Sequence, residues 1–263
     1  VYLKKKHLTL KDVDCFVSPC PVNNLTKSQN ETYETFAKIE QKNISFYSHH
    51  LCHASHAFYS SRMKESLVLT VDSAGMETDG RAVSTCAYYG LDKKIEKILD
   101  IESNHFSLGN LWGRCTRFIF KMSTGYPRGH QAGSVMAMAA LGDASIFYKD
   151  FYKMATSDFQ HVKHTPPGYV RGKYVDPKDD VTHPYLDKYR KLGEDPLSGE
   201  QNLFNMAAAL QKVTEDIMFQ LISQSLDTIK LKKGIDVNSI CLAGGVSLNS
   251  VCTGKIIEKL KGR

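Results

Sequence analysis

The chain has 263 residues, 42% of them hydrophobic, and a formal net charge of +6, enough to bury one large core or two modest ones. No apolar run approaches the roughly 20 residues needed to cross a bilayer, and the polar opening Val1 to His7 lacks a secretory apolar segment, so the chain reads as cytoplasmic with no membrane partner. The basic residues are scattered rather than interleaved with aromatics, which gives nucleic-acid binding little support and suits an anionic small molecule equally well.

Residues 1–47 are polar and heterogeneous: a strand-like Val13 to Val17, then Pro19, Pro21 and an Asn/Ser/Thr-rich stretch that reads as an irregular lead-in. Next comes Ser48-His49-His50-Leu51-Cys52-His53-Ala54-Ser55-His56. In a helix, His49, His53 and His56 stand at i, i+4 and i+7 on one face, while the apolar run Leu67 to Val71 predicts a strand with Asp72 at its carboxyl end. Two imidazoles one turn apart plus a carboxylate suit a divalent cation with open positions for a substrate oxygen. The same histidines also suit a polar helix end or a hydrogen-bonded core cluster.

Residues 67–101 predict an antiparallel meander of three strands, with Asp72 to Gly75 and Asp79-Gly80 as turns. From Ser107 to Lys121, Leu108, Leu111, Trp112, Cys115, Phe118 and Ile119 recur at helical spacing behind a Ser107 cap. Trp112 reads as core, with a stacking platform as the alternative. Gly125 to Ser134 reads as a loop in which Arg128 and His130 either meet an anion or face water, leading into a buried Ala-rich helix from Val135 to Leu141.

Residues 156–202 turn proline-rich and charged, an irregular excursion that suits either a lid over an acceptor or a plain surface insertion. Leu203 to Ile229 carries one broad apolar stripe, a long amphipathic helix on which Gln211 and Glu215 lie one turn apart. Val237 to Ala243 reads as a buried strand, Gly244-Gly245 as a turn that admits a backbone or flat ligand where a Cβ would intrude, and Ser247 to Lys261 as a helix. The seven cysteines, at 15, 20, 52, 86, 115, 241 and 252, are odd in number and dispersed, reading as reduced thiols rather than a disulfide frame.

Taken in order, the His-His-Leu-Cys-His-Ala run, Leu69-Thr70-Val71-Asp72, Gln131-Ala132-Gly133-Ser134-Val135-Met136 and Leu242-Ala243-Gly244-Gly245-Val246-Ser247-Leu248-Asn249 resemble the O-carbamoyltransferases over about residues 44–258. The resemblance implies an α/β chain with the actin/Hsp70/sugar-kinase type of ATPase fold, incomplete here, in two lobes with mixed sheets flanked by helices. It divides the chain into the irregular lead-in 1–47, a metal-site lobe 48–155, the insertion 156–202 and a nucleotide-binding lobe 203–263.

It also implies His49, His53 and Asp72 as ligands of iron(II) or another divalent metal, and Gly244, Gly245 and Asn249 at the adenosine side. Gln211 and Glu215 take a nucleotide-facing role or remain a helix-surface pair. The activity implied is carbamoyl transfer from carbamoyl phosphate, through ATP and a carbamoyladenylate made in a second domain, to a hydroxyl of a sugar-like or antibiotic-like acceptor, with a homodimer left open. The alternatives are a tRNA threonylcarbamoyl transferase-like enzyme and a non-catalytic nucleotide-binding relative.

The chain departs from the family pattern in several places. The first phosphate motif, a further Gly-Asp metal-ligand motif and the adenylate-forming domain are absent from it, as expected for a piece of a longer protein or a degenerate relative. Ser134 stands where the family usually has Lys, Ala140 where Pro is common, and Ser73 and Met76 loosen an Asp-Gly-x-Gly-Glu pattern. A Ser at 134 supplies no fixed positive charge for a phosphate.

Overall fold

The computed structural model describes residues 9, 12–19, 43–122, 131–164 and 182–260. Arg128, His130 and most of the proline-rich run lie outside the described residues. The lead-in is less irregular than its composition suggests: β1 (Cys15–Ser18) and β2 (Asn43–Phe46) pair in parallel. Helix α1 (His49–Ser61) then leads into β3 (Glu65–Met76), β4 (Ala82–Leu91) and β5 (Lys94–Glu102), the antiparallel meander expected from strand-like runs bounded by turn residues. A short β6 (Ile240–Ala243) joins β3 in parallel, giving a mixed sheet of order β5-β4-β3-β6.

β3 reads as a continuous apolar run because both its faces are covered. Leu67, Leu69 and Val71 enter the larger core, while Val68 joins Ala54 and Phe58 of α1, Val83, Cys86, Tyr88 and Cys241 in a second cluster on the opposite face. The larger core is built against α2 (Leu108–Phe118), α3 (Ala132–Met138), α4 (Tyr148–Ala155), α5 (Phe159–Lys163), α6 (Asp187–Gly193), α7 (Gly199–Lys233) and α8 (Ser250–Leu260). The chain is therefore α/β, with a mixed sheet flanked by helices. No helix among the described residues is long and apolar enough to cross a membrane.

Several local expectations need correction. The strand carrying Asp72 does not stop there; it runs on to Met76 through an irregularity in which four steps along β3, Val71 to Gly75, oppose two along β4, Thr85 to Val83. Helix α3 starts at Ala132, inside the run expected as a loop through Ser134, and is largely open to solvent with Val135 its buried residue, because Ala side chains mark helix propensity without fixing burial. The excursion after residue 156 contains α5 and α6, held by packing of Phe159, Val162, Leu186 and Tyr189 rather than by any long periodic pattern. Trp112 is a core residue whose Nε1–H donates to Thr214 Oγ1 at 2.8 Å.

Candidate metal centre and cleft

α1 is placed by its buried side. His50 is fully buried; its Nε2–H donates to the Val83 carbonyl at 2.9 Å, leaving Nδ1 to accept from Thr70 Oγ1 at 2.8 Å. Burial pushes its pKa below the ordinary histidine value, so the neutral ring is the one these bonds hold. Phe58 sits on Gly90, where a Cβ would lie 2.7 Å from the ring, and Ser48 Oγ accepts the Thr78 N–H at 3.2 Å. The helix start is thus fixed against the sheet.

Fixing α1 turns His49 and His53 toward Asp72. Both Nε2 atoms approach Asp72 Oδ2, at 3.4 and 3.3 Å, and stand 3.1 Å from each other. The three donor atoms lie within 4.8 Å of one another, and the side chains are partly exposed. His56 does not join them and is exposed: at i+7 it lies about two turns along α1 from His49, and α1 runs back beside β3, away from Asp72. Gly75 makes room for the His49 ring: a Cβ there would stand 2.3 Å from His49 Cδ2.

The β3–β6 register pairs Thr70 with Ala243, and its continuation brings Gly244 to Val71 and Gly245 to Asp72. Gly244 has φ +87°, and a Cβ on it would lie 2.4 Å from the Val71 carbonyl oxygen, so the turn tolerates no side chain. Asp72 Oδ1 accepts from the Ser73 N–H at 2.7 Å and lies against Gly245, where a Cβ would stand 3.1 Å from it. Burial alone would raise this carboxyl's pKa, but the bonds from His49 and Ser73 hold it well below the ordinary range. Asp72 is anionic and joins the two candidate half-sites directly.

Beside it opens a cleft of about 420 Å³, walled by Gly109, Trp112, Met136, Gly245, Leu248 and Asn249. Asn249 lines the cleft and begins the α8 turn, its Oδ1 accepting from the Cys252 N–H at 3.0 Å. Gln211 and Glu215 are not a surface pair. Both are buried on α7 behind Asn249: Gln211 exchanges bonds with the Asn249 amide at 2.7 and 3.3 Å, and Glu215 accepts from Gln211 at 2.9 Å and from Lys255 at 2.8 Å. They brace the cleft wall through Asn249. Ser134 is exposed on α3, next to Gly133 of the cleft lining.

Two imidazole nitrogens and a carboxylate oxygen form the borderline donor set that divalent first-row metals accept, with the solvent side open. Helical spacing picks out His49 and His53, together with His56, and the apolar strand run picks out Asp72; both pass over His50, although Ala54 and Phe58 at i+4 and i+8 continue its buried stripe.

The carbamoyltransferase N-terminus family model matches residues 3–262. An uncharacterized protein of Methanocaldococcus jannaschii, MJ1058, is 26% identical over 213 residues, 74% of this chain and 31% of that protein. The crystal structure of HypF from T. kodakarensis is similar with a TM-score of 0.46 and 15% identity, covering 96% of this chain and 37% of that one. The chain thus spans about a third of the length of the relatives it matches.

Proposed function

Because the chain belongs to the carbamoyltransferase N-terminus family, we propose that it contributes the metal-binding and nucleotide-binding portion of an ATP-dependent carbamoyltransferase with an actin/Hsp70/sugar-kinase type of fold. The observation that carries this reading is the double use of Asp72: Oδ2 faces His49 and His53, while Oδ1 lies against Gly245 of the diglycine turn, where a Cβ would stand 3.1 Å away. A cation and a nucleotide phosphate would meet at that one carboxylate.

His49, His53 and Asp72 would hold iron(II) or another divalent metal. When bound, such a cation supplies Lewis-acid polarisation of carbamoyl or phosphate oxygens. The residues of this chain then bind and orient. The diglycine turn lets phosphate oxygens come close, and Trp112, Met136 and Leu248 offer apolar walls to a flat ring.

The donor is carbamoyl phosphate: elsewhere in the whole protein water releases its phosphate to leave carbamate, and a carbamate oxygen attacks the α-phosphorus of ATP, expelling pyrophosphate, to give carbamoyladenylate. An acceptor hydroxyl oxygen bonds the carbamoyl carbon, the bond from that carbon to the adenylate oxygen breaks, AMP leaves with the electron pair, and the hydroxyl proton passes to solvent. Exclusion of water from the occupied cleft raises the strength of each electrostatic contact to the developing oxyanion.

The test is carbamoyl transfer by the full-length protein, supplied with carbamoyl phosphate, ATP and a panel of hydroxylated small molecules, followed as AMP release and product mass. His49→Ala and His53→Ala are expected to lose transfer while retaining the wild-type circular dichroism spectrum. Full activity in both variants removes the metal assignment. Turnover only with RNA would favour the threonylcarbamoyl alternative, and nucleotide binding without transfer would favour a non-catalytic relative.

A further inference from the structure

The irregularity in β3 deprives residues 72–74 of ladder partners on β4, since pairing resumes only at Gly75 opposite Val83. Their backbone is held instead by the first turn of α2. Ser107 Oγ donates to the Ser73 carbonyl at 2.7 Å, with the Asp72 carbonyl also in reach at 3.3 Å, and Asn110 Nδ2 donates to the same Ser73 carbonyl at 3.0 Å. Gly109 is pressed on the peptide between them: a Cβ there would lie 2.4 Å from Ser73 N.

We propose that Ser107 and Asn110 are positioning residues for the candidate metal centre, fixing the peptide that aims Asp72 Oδ2 at His49 and His53. Both act through Ser73. Its N–H binds Asp72 Oδ1 at 2.7 Å, and its carbonyl is gripped from α2 by two side chains. Rotation of this segment would release Oδ1 and swing Oδ2 out of line. The platform is rigid because α2 is anchored by Leu108, Leu111 and Cys115, all fully buried. Partners behind a ligand commonly change metal affinity about 10–100-fold when removed.

This role rests on the reading of His49, His53 and Asp72 as cation ligands, and its test separates the two. The full-length protein is titrated anaerobically with Co²⁺ as an optical probe, alongside thermal melts. Asn110→Ala is expected to weaken Co²⁺ binding about 10-fold or more with the melting midpoint near wild type, and Ser107→Thr, which keeps the donor, to bind near wild type. Asn110→Asp keeps the side-chain size, removes the donor and serves if Asn110→Ala does not fold. Wild-type affinity in the Asn110 variants overturns the positioning role and leaves the metal reading intact. Weakened binding that tracks a lowered melting midpoint, and is equally severe in Ser107→Thr, marks a purely structural role and also overturns it. A wild-type protein that binds no Co²⁺, or binds it equally after joint replacement of His49 and His53 by Ala, removes the metal reading itself.

Discussion

Gly75→Ala adds one methyl group at the place where the candidate metal centre has least room. The new Cβ would stand 2.3, 2.5 and 2.7 Å from Cδ2, Cγ and Cβ of His49. Ordinary carbon contacts lie near 3.5–4.0 Å, so His49 or β3 must retreat by roughly 1 Å. A rotamer change cannot supply this, because His49 Cβ, fixed to the helix backbone, is itself among the clashing atoms. The backbone at Gly75 has no left-handed φ, so the effect is steric alone. Overpacking of this kind costs about 1–3 kcal/mol, and displacement of one of three donors should lower metal affinity by at least about 10-fold. Isothermal titration of Mn²⁺ or Co²⁺ into wild-type and Gly75→Ala full-length protein, with urea unfolding in parallel, reads both effects. Unchanged metal affinity in a variant that loses the packing energy would refute the claim that His49 needs its observed place.

Phe58→Ala should cost about 3–5 kcal/mol in urea unfolding, since a fully buried ring holds α1 to Gly90 of the sheet; a loss under about 1 kcal/mol would show that α1 is docked by other contacts. His183 is 1% exposed, its Nε2–H donating to the Val162 and His164 carbonyls at 3.0 and 3.1 Å while Nδ1 accepts the Leu186 N–H at 3.2 Å. Burial first, then the nearby Arg114 charge, lowers its pKa below 6.5 despite the carbonyl bonds. The unfolded chain therefore takes the proton first, so stability is fully present above pH 6.5 and is lost as pH falls below it, by no more than about 1.4 kcal/mol per pH unit. Thermal melts from about pH 7.5 to 5 should show a shallower acid loss in His183→Gln than in wild type, and equal slopes would contradict the assignment.

Much of the chain is legible where one periodicity dominates. The stripe that predicts a helix over 203–229 lies inside α7, which extends farther at both ends because Glu200 and the terminal lysines carry no apolar signal yet suit the helix dipole. Strands β3 to β5 follow from strand-like runs bounded by turn residues, and the i, i+4 histidines meet because α1 is regular. What pattern could not supply depends on contacts distant in sequence. The extra residues in β3 carry no composition signal, so Asp72 reads as a strand end rather than a mid-strand residue. Gln211 and Glu215 read from sequence as either a nucleotide-facing pair or a solvated one until Asn249 and Lys255, 38 and 40 positions away, pack on them. The grip of Ser107 and Asn110 on Ser73 spans 34 and 37 positions and is invisible to any local window.

The central claim is that His49, His53 and Asp72 share one cation. Pulsed electron paramagnetic resonance on full-length protein loaded with a single equivalent of Mn²⁺, with histidine nitrogens labelled by ¹⁵N, counts the imidazoles bound to it. Coupling to two histidine nitrogens is expected, reduced to one in His53→Ala, with a loss of tight binding in Asp72→Asn. A bound ion with no imidazole coupling, or one unaffected by either substitution, would contradict it.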